Sequence, residues 1–407
     1  MSLLNEIEIS CPLCRSGESE AVFDRRLHSK VDGIKPLREE GRVFHQINRL
    51  CRSCGLVFVS PRLDGPSLLR FYSGGQEEGY QSDQKIDAAY VRHFIPLAIW
   101  RRDILLGEFC RPGDYHLDVG ANVGALIHLM REGRVFSEGL DPNGQMVAAA
   151  KHYFGIDLHQ KSLEEYPVNR AFDLLTLNQV LEHVSDPVEF LRICLRHVKE
   201  GGYVYLEVPD LTRPRGYPLT FFHPHHIQTF TEHTLKMVCH ECGMETLKAG
   251  HVMNNFLFLI GRKKTTSLPR QYQEDGYGHS KAALHDFLTY QNLVADAVRD
   301  GRNAEARLRD LMVEYPWPES AQLFLIEFLC RRREFSQALS VALTSLEKVP
   351  TVPMWNLVFD LAMKVNRPGS LRTGTAGRIR GLVAAAAGLR LPLPRHKNDN
   401  LGALGSR

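Results

Sequence analysis

This 407-residue sequence lacks long apolar runs, a strong charge of one sign and an evenly paired set of cysteines. Its longest apolar stretches, at 256–260 and 382–389, fall far short of the roughly 20 residues that cross a bilayer. Hydrophobic residues make up 43% and charged residues 24%, a composition typical of folded globular domains. The sequence therefore argues against a bundle of membrane-spanning helices, a collagen-like chain and wholesale disorder.

The number of cysteines is odd, and the start of the sequence shows no secretory pattern. Nine cysteines cannot all pair with one another, and residues 1–14 lack a basic stretch followed by an apolar one. We therefore expect a reducing compartment and a cytoplasmic protein.

Charge is spread unevenly along the chain. The formal net charge is only +3, but residues 361–407 contain nine Lys or Arg and one acidic residue, which leaves about −5 on the remaining 360 residues. Such a body does not indicate a nucleic-acid partner. The Gly-, Arg- and Ala-rich tail at 367–407 is predicted to be mostly disordered.

Six of the cysteines form three short Cys-x-x-Cys pairs, of which the third, Cys239 and Cys242, lies inside a helical pattern and is predicted to belong to a buried helix face. The first two pairs lie near the N-terminus and are separated by 36 residues. Each pair places two thiolates on one tight loop, and two such loops supply the four sulfur ligands of a tetrahedral structural zinc site. Strand-like alternation lies inside the spacer, and a short apolar run follows the second pair. The pattern predicts a zinc ribbon that binds Zn²⁺ through Cys11, Cys14, Cys51 and Cys54. Two chance pairs of buried thiols are the alternative.

A glycine-rich turn joins a predicted strand to a predicted helix. The strand at 115–119 runs into Gly120, and Gly124 precedes an apolar helix-like segment at 125–130. A strand, a glycine turn and a helix form the first unit of a doubly wound sheet, and glycine lets a ligand approach the backbone closely. The spacing differs from the dinucleotide fingerprint, so a pyrophosphate cradle is not indicated.

Asp141 ends the second predicted strand, about 20 residues after the glycine turn. A carboxylate at this point can accept both hydroxyls of a ribose. Further strands are predicted near 156–159, 172–178 and 203–208, with helices between them. This alternation predicts an α/β fold with a doubly wound, mainly parallel sheet.

The ordered segments LDVGANVG, FDLLTLNQVLEHVSDPVEFLR and VKEGGYVYLEVP resemble class I S-adenosylmethionine-dependent methyltransferases, which have a Rossmann-like fold. The segment CRSCGLVFVSPR, followed by FYSGG, is similar to a narrower group that has a zinc ribbon before the methyltransferase domain and often acts on sugars or glycans. The resemblance covers roughly residues 11–262. It implies S-adenosyl-L-methionine as the cofactor and a sugar nucleotide or surface glycan as the methyl acceptor.

The same resemblance implies roles for nine residues around the cofactor. Asp141 would hold the ribose, Ser162 or Leu163 would lie near the adenine, and Asn178 would approach the methionine moiety. The amino-acid part of the cofactor would be surrounded by Asp118, Gly120, Ala121, Asn122 and Gly124. An aspartate before a glycine turn can also serve only as the cap of the next helix, which is the alternative role for Asp118.

A histidine-rich loop follows the last predicted parallel strand. Ligands of an open α/β sheet bind beyond the carboxyl ends of its strands, which places His223, His225 and His226 near the crevice. We expect His226 first and His225 second to act as general base for an acceptor that has to lose a proton. Packing of these histidines against the sheet is the alternative. The Tyr and Glu found here in related sugar carbon-methyltransferases are missing, which argues against carbon methylation.

Glu182 and His183 form a second polar pair near the same crevice. They could bind a divalent cation or orient a substrate, but Gln179 stands where a further carboxylate would help to bind a metal. A structural role at the start of a helix is favoured over metal binding.

Helical patterning near the C-terminus repeats with an offset of 34 residues. Ala304 recurs as Ala338, and Tyr315 recurs as Val349, with a proline after each of these last two residues. The offset is the tetratricopeptide period. Two or three degenerate repeats would offer a surface to a protein partner, whereas an ordinary helical hairpin is the alternative. The predicted divisions are a zinc ribbon at 1–62, a helical linker or lid at 63–112, a methyltransferase domain at 113–263, a linker at 264–281, a tetratricopeptide-like region at 282–366 and a basic tail at 367–407.

Three functions remain open at this point. The favoured one is methylation of a sugar nucleotide or surface glycan. The second is methylation of a small metabolite or a protein. The third is a noncatalytic scaffold that docks partners through its helical repeats.

Overall fold

The computed structural model describes residues 6–24, 38–39, 42–43, 47–72, 86–214, 221–222, 225–252, 255–264, 275–300, 303–315, 320–348, 358 and 361. No helix in these ranges combines the length and apolar character needed to cross a membrane. The histidine at position 223, the loop at 73–85 and the predicted tail at 367–407 lie outside the described residues.

The N-terminal part consists of short antiparallel strands around the two Cys-x-x-Cys turns. The strands are β1 (Glu6–Ile7), β2 (Ser19–Asp24), β3 (Arg38–Glu39), β4 (Arg42–Val43), β5 (Ile47–Cys51), β6 (Val57–Val59) and β7 (Arg62–Leu63). Strands β2, β5 and β6 form one sheet, while β1 pairs with β7 and β3 pairs with β4. The first turn therefore leads into β2 and the second into β6, in the order that the sequence predicted.

Two helices, α1 (Gly65–Tyr72) and α2 (Ala88–Leu105), follow these strands, as the helical pattern of 66–112 predicted. The apolar residues of α2 recur at helical spacing, so one face of α2 packs into the core of the central sheet through Val91, Ile95, Ala98 and Leu105. Helix α2, which lies in the range predicted as a helical linker or lid at 63–112, thus packs on the central sheet, and the lid role stays a prediction.

The central sheet has six strands and both of its faces are covered. Its parallel strands are β8 (Tyr115–Val119), β9 (Phe136–Leu140), β10 (Phe172–Asn178) and β11 (Val198–Pro209). Helices α2, α3 (Ala125–Glu132) and α4 (Gly144–Phe154) pack on one face, and α5 (Pro187–Arg196) and α6 (Glu232–Glu241) pack on the other. The predicted doubly wound, mainly parallel sheet is confirmed.

Two further strands, β13 (Met244–Val252) and β14 (Phe256–Lys263), complete the sheet in the order β13–β14–β11–β10–β8–β9. β14 runs antiparallel to both of its neighbours. The strand predicted at 156–159 is wrong, since only a single bridge joins Leu140 to His159. Ile156 and Leu158 are instead buried against α3 and α4 at the edge of the sheet, where their apolar side chains have one face to cover.

A buried ion pair joins α2 to β11 of the central sheet. The Arg101 guanidinium donates to both carboxylate oxygens of Glu207 at 2.5 and 2.9 Å, and the two side chains are 8% and 0% exposed. The Tyr205 hydroxyl and the Gln179 amide also donate to the Glu207 carboxylate. The negative charge of the buried Glu207 carboxylate is therefore offset by hydrogen bonds from three side chains.

Replacing Arg101 by methionine is expected to lower the free energy of unfolding by about 3–5 kcal/mol, because it leaves the Glu207 carboxylate buried without its cation. Urea denaturation followed by fluorescence measures the change. Adding Glu207→Gln to Arg101→Met removes the uncompensated charge, so the double variant should recover part of the loss. A single-variant loss below about 1 kcal/mol, the range of exposed pairs, would contradict this account.

The N-terminal strands and the central sheet form one packed unit rather than two separate bodies. A short strand, β12 (Gln228–Thr229), leaves the segment after β11 and pairs with β6, so the N-terminal sheet has the order β12–β6–β5–β2. Cys11, Cys54 and Phe58 share a core with residues of β10 and β11. The predicted boundary at residue 62 therefore lies between the N-terminal strands and a domain against which they pack.

The C-terminal helices begin earlier than predicted. α7 (Gly276–Arg299) starts inside the predicted linker at 264–281 and packs on the N-terminal strands, since a side chain at Gly55 would meet the Gly276 carbonyl oxygen at 2.0 Å. It is followed by α8 (Ala304–Glu314), α9 (Ser320–Arg331) and α10 (Phe335–Lys348). These helices share a separate apolar core, and α8 and α10 occupy the equivalent positions of the 34-residue offset. The assignment to tetratricopeptide repeats stays a prediction.

Candidate active site

A cavity of about 510 Å³ lies at the carboxyl ends of the parallel strands. The order of the strands reverses between β8 and β10, and ligands of open α/β sheets bind at such a switch point. Eight of the nine residues predicted to bind the cofactor line this cavity: Asp118, Gly120, Ala121, Asn122, Asp141, Ser162, Leu163 and Asn178. These eight predicted residues thus share one cavity, and their binding of the cofactor stays a prediction.

Asp118, at the end of β8, is held within a network of polar side chains. Its Oδ1 accepts hydrogen bonds from the Thr176 hydroxyl at 2.6 Å and from the Asn178 amide at 2.8 Å. Burial raises the pKa of Asp118 to about 6, and these two donors act in the opposite direction by stabilising the carboxylate. Asp118 thereby orients the Asn178 side chain in the cavity. This role differs from the helix-capping role that the sequence also allowed.

Asp141, at the end of β9, braces the glycine turn. One carboxylate oxygen accepts the backbone N–H of Asn122 and the other that of Asn143, both at 2.9 Å. Burial raises the pKa of Asp141 to about 6. Each carboxylate oxygen can accept more than one hydrogen bond, so Asp141 retains capacity to accept hydroxyl groups of a ligand in the cavity.

Two polar atoms beside these carboxylates have no hydrogen-bond partner within the described residues. They are Oδ1 of Asn178 and the hydroxyl oxygen of Ser162, and both are buried. An unpartnered buried polar atom is unfavourable, which is why such atoms are often found where a ligand supplies the partner. An acceptor at Asn178 suits a ligand amino group, and Ser162 suits a heterocycle edge, so these residues fit S-adenosylmethionine.

The two glycines of the turn have different roles. Gly120 has φ +73°, and a side chain there would meet Val180 Cγ2 at 2.6 Å, so glycine keeps this wall of the cavity open. Gly124 also has a positive φ, but it precedes α3 and faces Ala150 and Ile156. Gly124, the ninth predicted residue, does not line the cavity. Its lack of a side chain instead lets α3 and α4 pack closely.

The far end of the cavity carries a cluster of one acid and two histidines. Glu182 and His183 lie in the short 3₁₀ turn Leu181–His183, and His226 lies in the loop after β11. One ligand atom from each of the three residues lies within 4.8 Å of the others. Burial raises the pKa of Glu182 to about 8 and lowers that of His183 to about 4. The sequence did not predict this meeting, because His226 is distant along the chain.

The other two predicted histidines are placed differently. His225 is not among the lining residues, and its backbone carbonyl accepts a 2.8 Å hydrogen bond from Nδ1 of His183. Its contribution is therefore to orient His183. His223 lies outside the described residues, so its predicted role stays a prediction.

One wall of the cavity comes from α2, which the sequence-based prediction of the site missed. His93, Leu97 and Arg101 line the cavity and are four residues apart, so they lie on one face of the helix. Phe94 and Ala98 lie beside them. The regular spacing was visible in the sequence, but only the packing of α2 shows that this face meets the strand ends.

The four predicted zinc ligands come together as a separate cluster. Sγ of Cys11 lies 3.6 Å from Sγ of Cys54, and Sγ of Cys14 lies 3.5 Å from Sγ of Cys51. Four sulfurs around zinc at about 2.3 Å in tetrahedral geometry would be about 3.8 Å apart, so the cluster fits the ion closely. Such a site has no open position for a substrate, which suits a structural ion.

The known proteins that are similar to this chain include methyltransferases. A family model described as a methyltransferase domain matches residues 90–249. The ubiquinone biosynthesis O-methyltransferase of Sodalis glossinidius is 39% identical over 97 residues, which cover 22% of this chain and 39% of that protein. The protein of the same name from Pseudomonas entomophila is 32% identical over 112 residues, covering 25% and 47%.

The matches thus span less than half the length of these curated relatives. Among solved structures, the 1,6-didemethyltoxoflavin N1-methyltransferase of Burkholderia thailandensis has 15% identity and a TM-score of 0.40, covering 52% of this chain and 96% of that chain. An S-adenosylmethionine-dependent methyltransferase of Aquifex aeolicus has 16% identity and a TM-score of 0.35, covering 44% and 99%. The family match and the strand order indicate a methyltransferase domain with a Rossmann-like fold within this chain.

Proposed function

We propose that this protein transfers a methyl group from S-adenosylmethionine to a hydroxyl group of a carbohydrate acceptor, either a sugar nucleotide or a surface glycan. The observation that carries the proposal is the single cavity that joins the glycine turn and Asp141 at one end to Glu182, His183 and His226 at the other. A donor site and a polar acceptor site are thereby open to each other.

The cofactor end would be formed by residues of three strand ends. Asp141 would accept the ribose hydroxyls, Asn178 would accept the amino group of the methionine moiety, and Gly120 would allow close approach to the backbone. When bound, S-adenosylmethionine supplies a methyl group on a positively charged sulfur. The protein's part is to align this methyl with the acceptor oxygen and to exclude water.

The acceptor end is polar, which favours an acceptor with several hydroxyl groups. Ser185, Asp186 and Glu189 line the cavity near Glu182 and can hydrogen-bond to sugar hydroxyls. We place the acceptor hydroxyl beside His226. The resemblance of the N-terminal strands to a group that acts on sugars also supports this choice.

The names of the curated relatives raise the main rival, a small-metabolite acceptor, since proteins named ubiquinone biosynthesis O-methyltransferase are similar to the central part of this chain. Leu68, Phe190 and Ile193 also line the cavity and would suit an aromatic ring. A protein acceptor is the remaining alternative.

We further propose that helices α8–α10 bind a protein partner and that the protein works in the cytoplasm. The partner surface is supported by the helices' own apolar core and by the 34-residue offset. The location is supported by the nine cysteines, all of which lie in the described ranges and none of which forms a disulfide.

The test begins with calorimetric titration of the zinc-loaded protein with S-adenosylhomocysteine and continues with transfer of labelled methyl to matched acceptor panels. Micromolar binding and label in the sugar nucleotides or glycans would support the proposal. Label only in catechols or in peptides would overturn the carbohydrate acceptor and keep the methyltransferase. Absence of binding in folded protein would favour the noncatalytic scaffold.

A further inference from the structure

Glu182 is a buried carboxylate with an unusual lack of hydrogen bonds. Its side chain is 0% exposed, and neither carboxylate oxygen has a hydrogen-bond partner within the described part of the chain. Nε2 of His183 lies 3.9 Å from its Oε1. A carboxylate in this position requires either a proton or a cation to offset its burial.

His183 presents its second nitrogen toward this carboxylate. Nδ1 bonds to the carbonyl oxygen of His225, and a carbonyl can only accept, so Nδ1 carries the proton. In the neutral ring with this tautomer, Nε2 has the lone pair that can bind a metal ion. Histidines that bind metal ions are commonly oriented by this type of hydrogen bond to a backbone carbonyl.

His226 reaches the same place because the N-terminal sheet holds its loop. The backbone N–H of Ile227 donates to the carbonyl of Glu182, and the carbonyl of Ile227 accepts from the N–H of Val59 in β6. The rings of His183 and His226 lie edge to face, with centroids 5.1 Å apart. The loop is therefore anchored on both sides, so His226 is positioned by backbone bonds.

We propose that Glu182, His183 and His226 bind a divalent transition-metal ion at the acceptor end of the cavity. This inference rests on the proposed function and adds to it the means by which the acceptor is bound. A divalent ion here would lower the pKa of an acceptor hydroxyl, whose proton then passes to water.

The set of donor atoms indicates which kind of ion is expected. Two imidazoles and one carboxylate suit zinc, manganese, iron or cobalt, whereas magnesium and calcium prefer oxygen ligands. Three protein ligands beside a cavity leave positions open to a substrate, as in catalytic metal sites. The four-cysteine cluster supplies only sulfur and no open position, so the two sites differ in chemistry.

Manganese is the most informative probe, because its affinity for a four-thiolate site is low. The full-length protein, with its zinc content measured, is titrated with Mn²⁺ alone, and the free ion is followed by electron paramagnetic resonance. We expect one Mn²⁺ per chain, bound at least about tenfold more weakly in Glu182→Gln and in His226→Gln. His128→Gln is the matched control, because His128 pairs with Glu132 at 3.5 Å on the exposed side of α3.

The outcomes separate this inference from the proposed function. Absence of Mn²⁺ binding at millimolar concentration, or equal affinity in the wild type and both ligand variants, would overturn the metal site. Binding of S-adenosylhomocysteine is measured in the same samples. If it persists while Mn²⁺ fails to bind, only the metal inference is lost. If it is absent while Mn²⁺ binds as expected, the proposed methyl transfer fails. If Glu182→Gln does not fold, His226→Gln decides the matter.

Discussion

Replacing Asp141 by alanine is expected to weaken the binding of S-adenosylhomocysteine by at least about a hundredfold. The substitution removes the proposed ribose acceptor and also frees the backbone N–H groups of Asn122 and Asn143, which Asp141 now binds. Hydrogen bonds to a charged group contribute about 1.5–3 kcal/mol each. Two such bonds to the ribose therefore account for a hundredfold loss or more. Isothermal titration calorimetry measures the change.

Asp157→Ala is the matched control for this prediction. Asp157 is also an aspartate in the same part of the chain, but its side chain is 80% exposed and pairs only with Lys151. The control should leave the affinity unchanged. Affinity within about twofold of the wild type in folded Asp141→Ala would show that the ribose lies elsewhere.

The same carboxylate predicts how cofactor binding depends on pH. Burial raises the pKa of Asp141 from 3.8 to about 6, so below pH 6 the carboxyl takes up a proton and loses its ability to accept a second hydroxyl hydrogen bond. The affinity for S-adenosylhomocysteine should then fall as the pH falls through about 6. In the free protein the sign is opposite, because a raised pKa favours the protonated folded state and stability declines as the pH rises from about 4 to about 6. Asp141→Asn should flatten the binding profile, leaving the contribution of Asp118.

Replacing Cys51 by serine is expected to abolish zinc binding and to unfold the N-terminal sheet. Cys51 ends β5 and provides one of the four clustered sulfurs. Apparent zinc-binding free energies of about 10–16 kcal/mol in zinc-finger peptides are also folding free energies, so losing one ligand should cost the region most of its stability. Metal analysis should show the loss of about one zinc per chain relative to the wild type.

The effect should reach the acceptor end of the cavity. β12 pairs with β6, and the neighbouring Ile227 carbonyl accepts from Val59, so melting of this sheet releases the loop that carries His226. Hydrogen exchange should therefore show lost protection in β5, β6 and β12. Cys330→Ser, in α9 of the C-terminal helices, is the control and should retain both zinc and protection. An unchanged zinc content in Cys51→Ser would contradict the four-sulfur site.

Local sequence patterns were sufficient to predict most of the central helices and strands and which residues meet at the strand ends. Three features lie at the same edge of the parallel sheet, and a turn or loop follows each of them. They are the strand before Gly120, the aspartate that ends the next strand and the asparagine that ends β10. The carboxyl ends of parallel strands must meet, so spacing along the chain was enough to bring Asp118, Asp141 and Asn178 together. The two Cys-x-x-Cys pairs were equally informative, because each is a local turn.

Only the tertiary structure shows which residues form the proposed acceptor end of the cavity and how the N-terminal, central and C-terminal parts of the chain pack together. His226 meets Glu182 through β12, a two-residue strand that leaves almost no pattern in the sequence. The packing of α7 on the N-terminal strands likewise leaves almost no pattern in the sequence. Hydrophobic periodicity and spacing report contacts between neighbouring residues of one element. They carry no information about which distant segments pair through their backbones, because every residue offers nearly the same N–H and C=O groups.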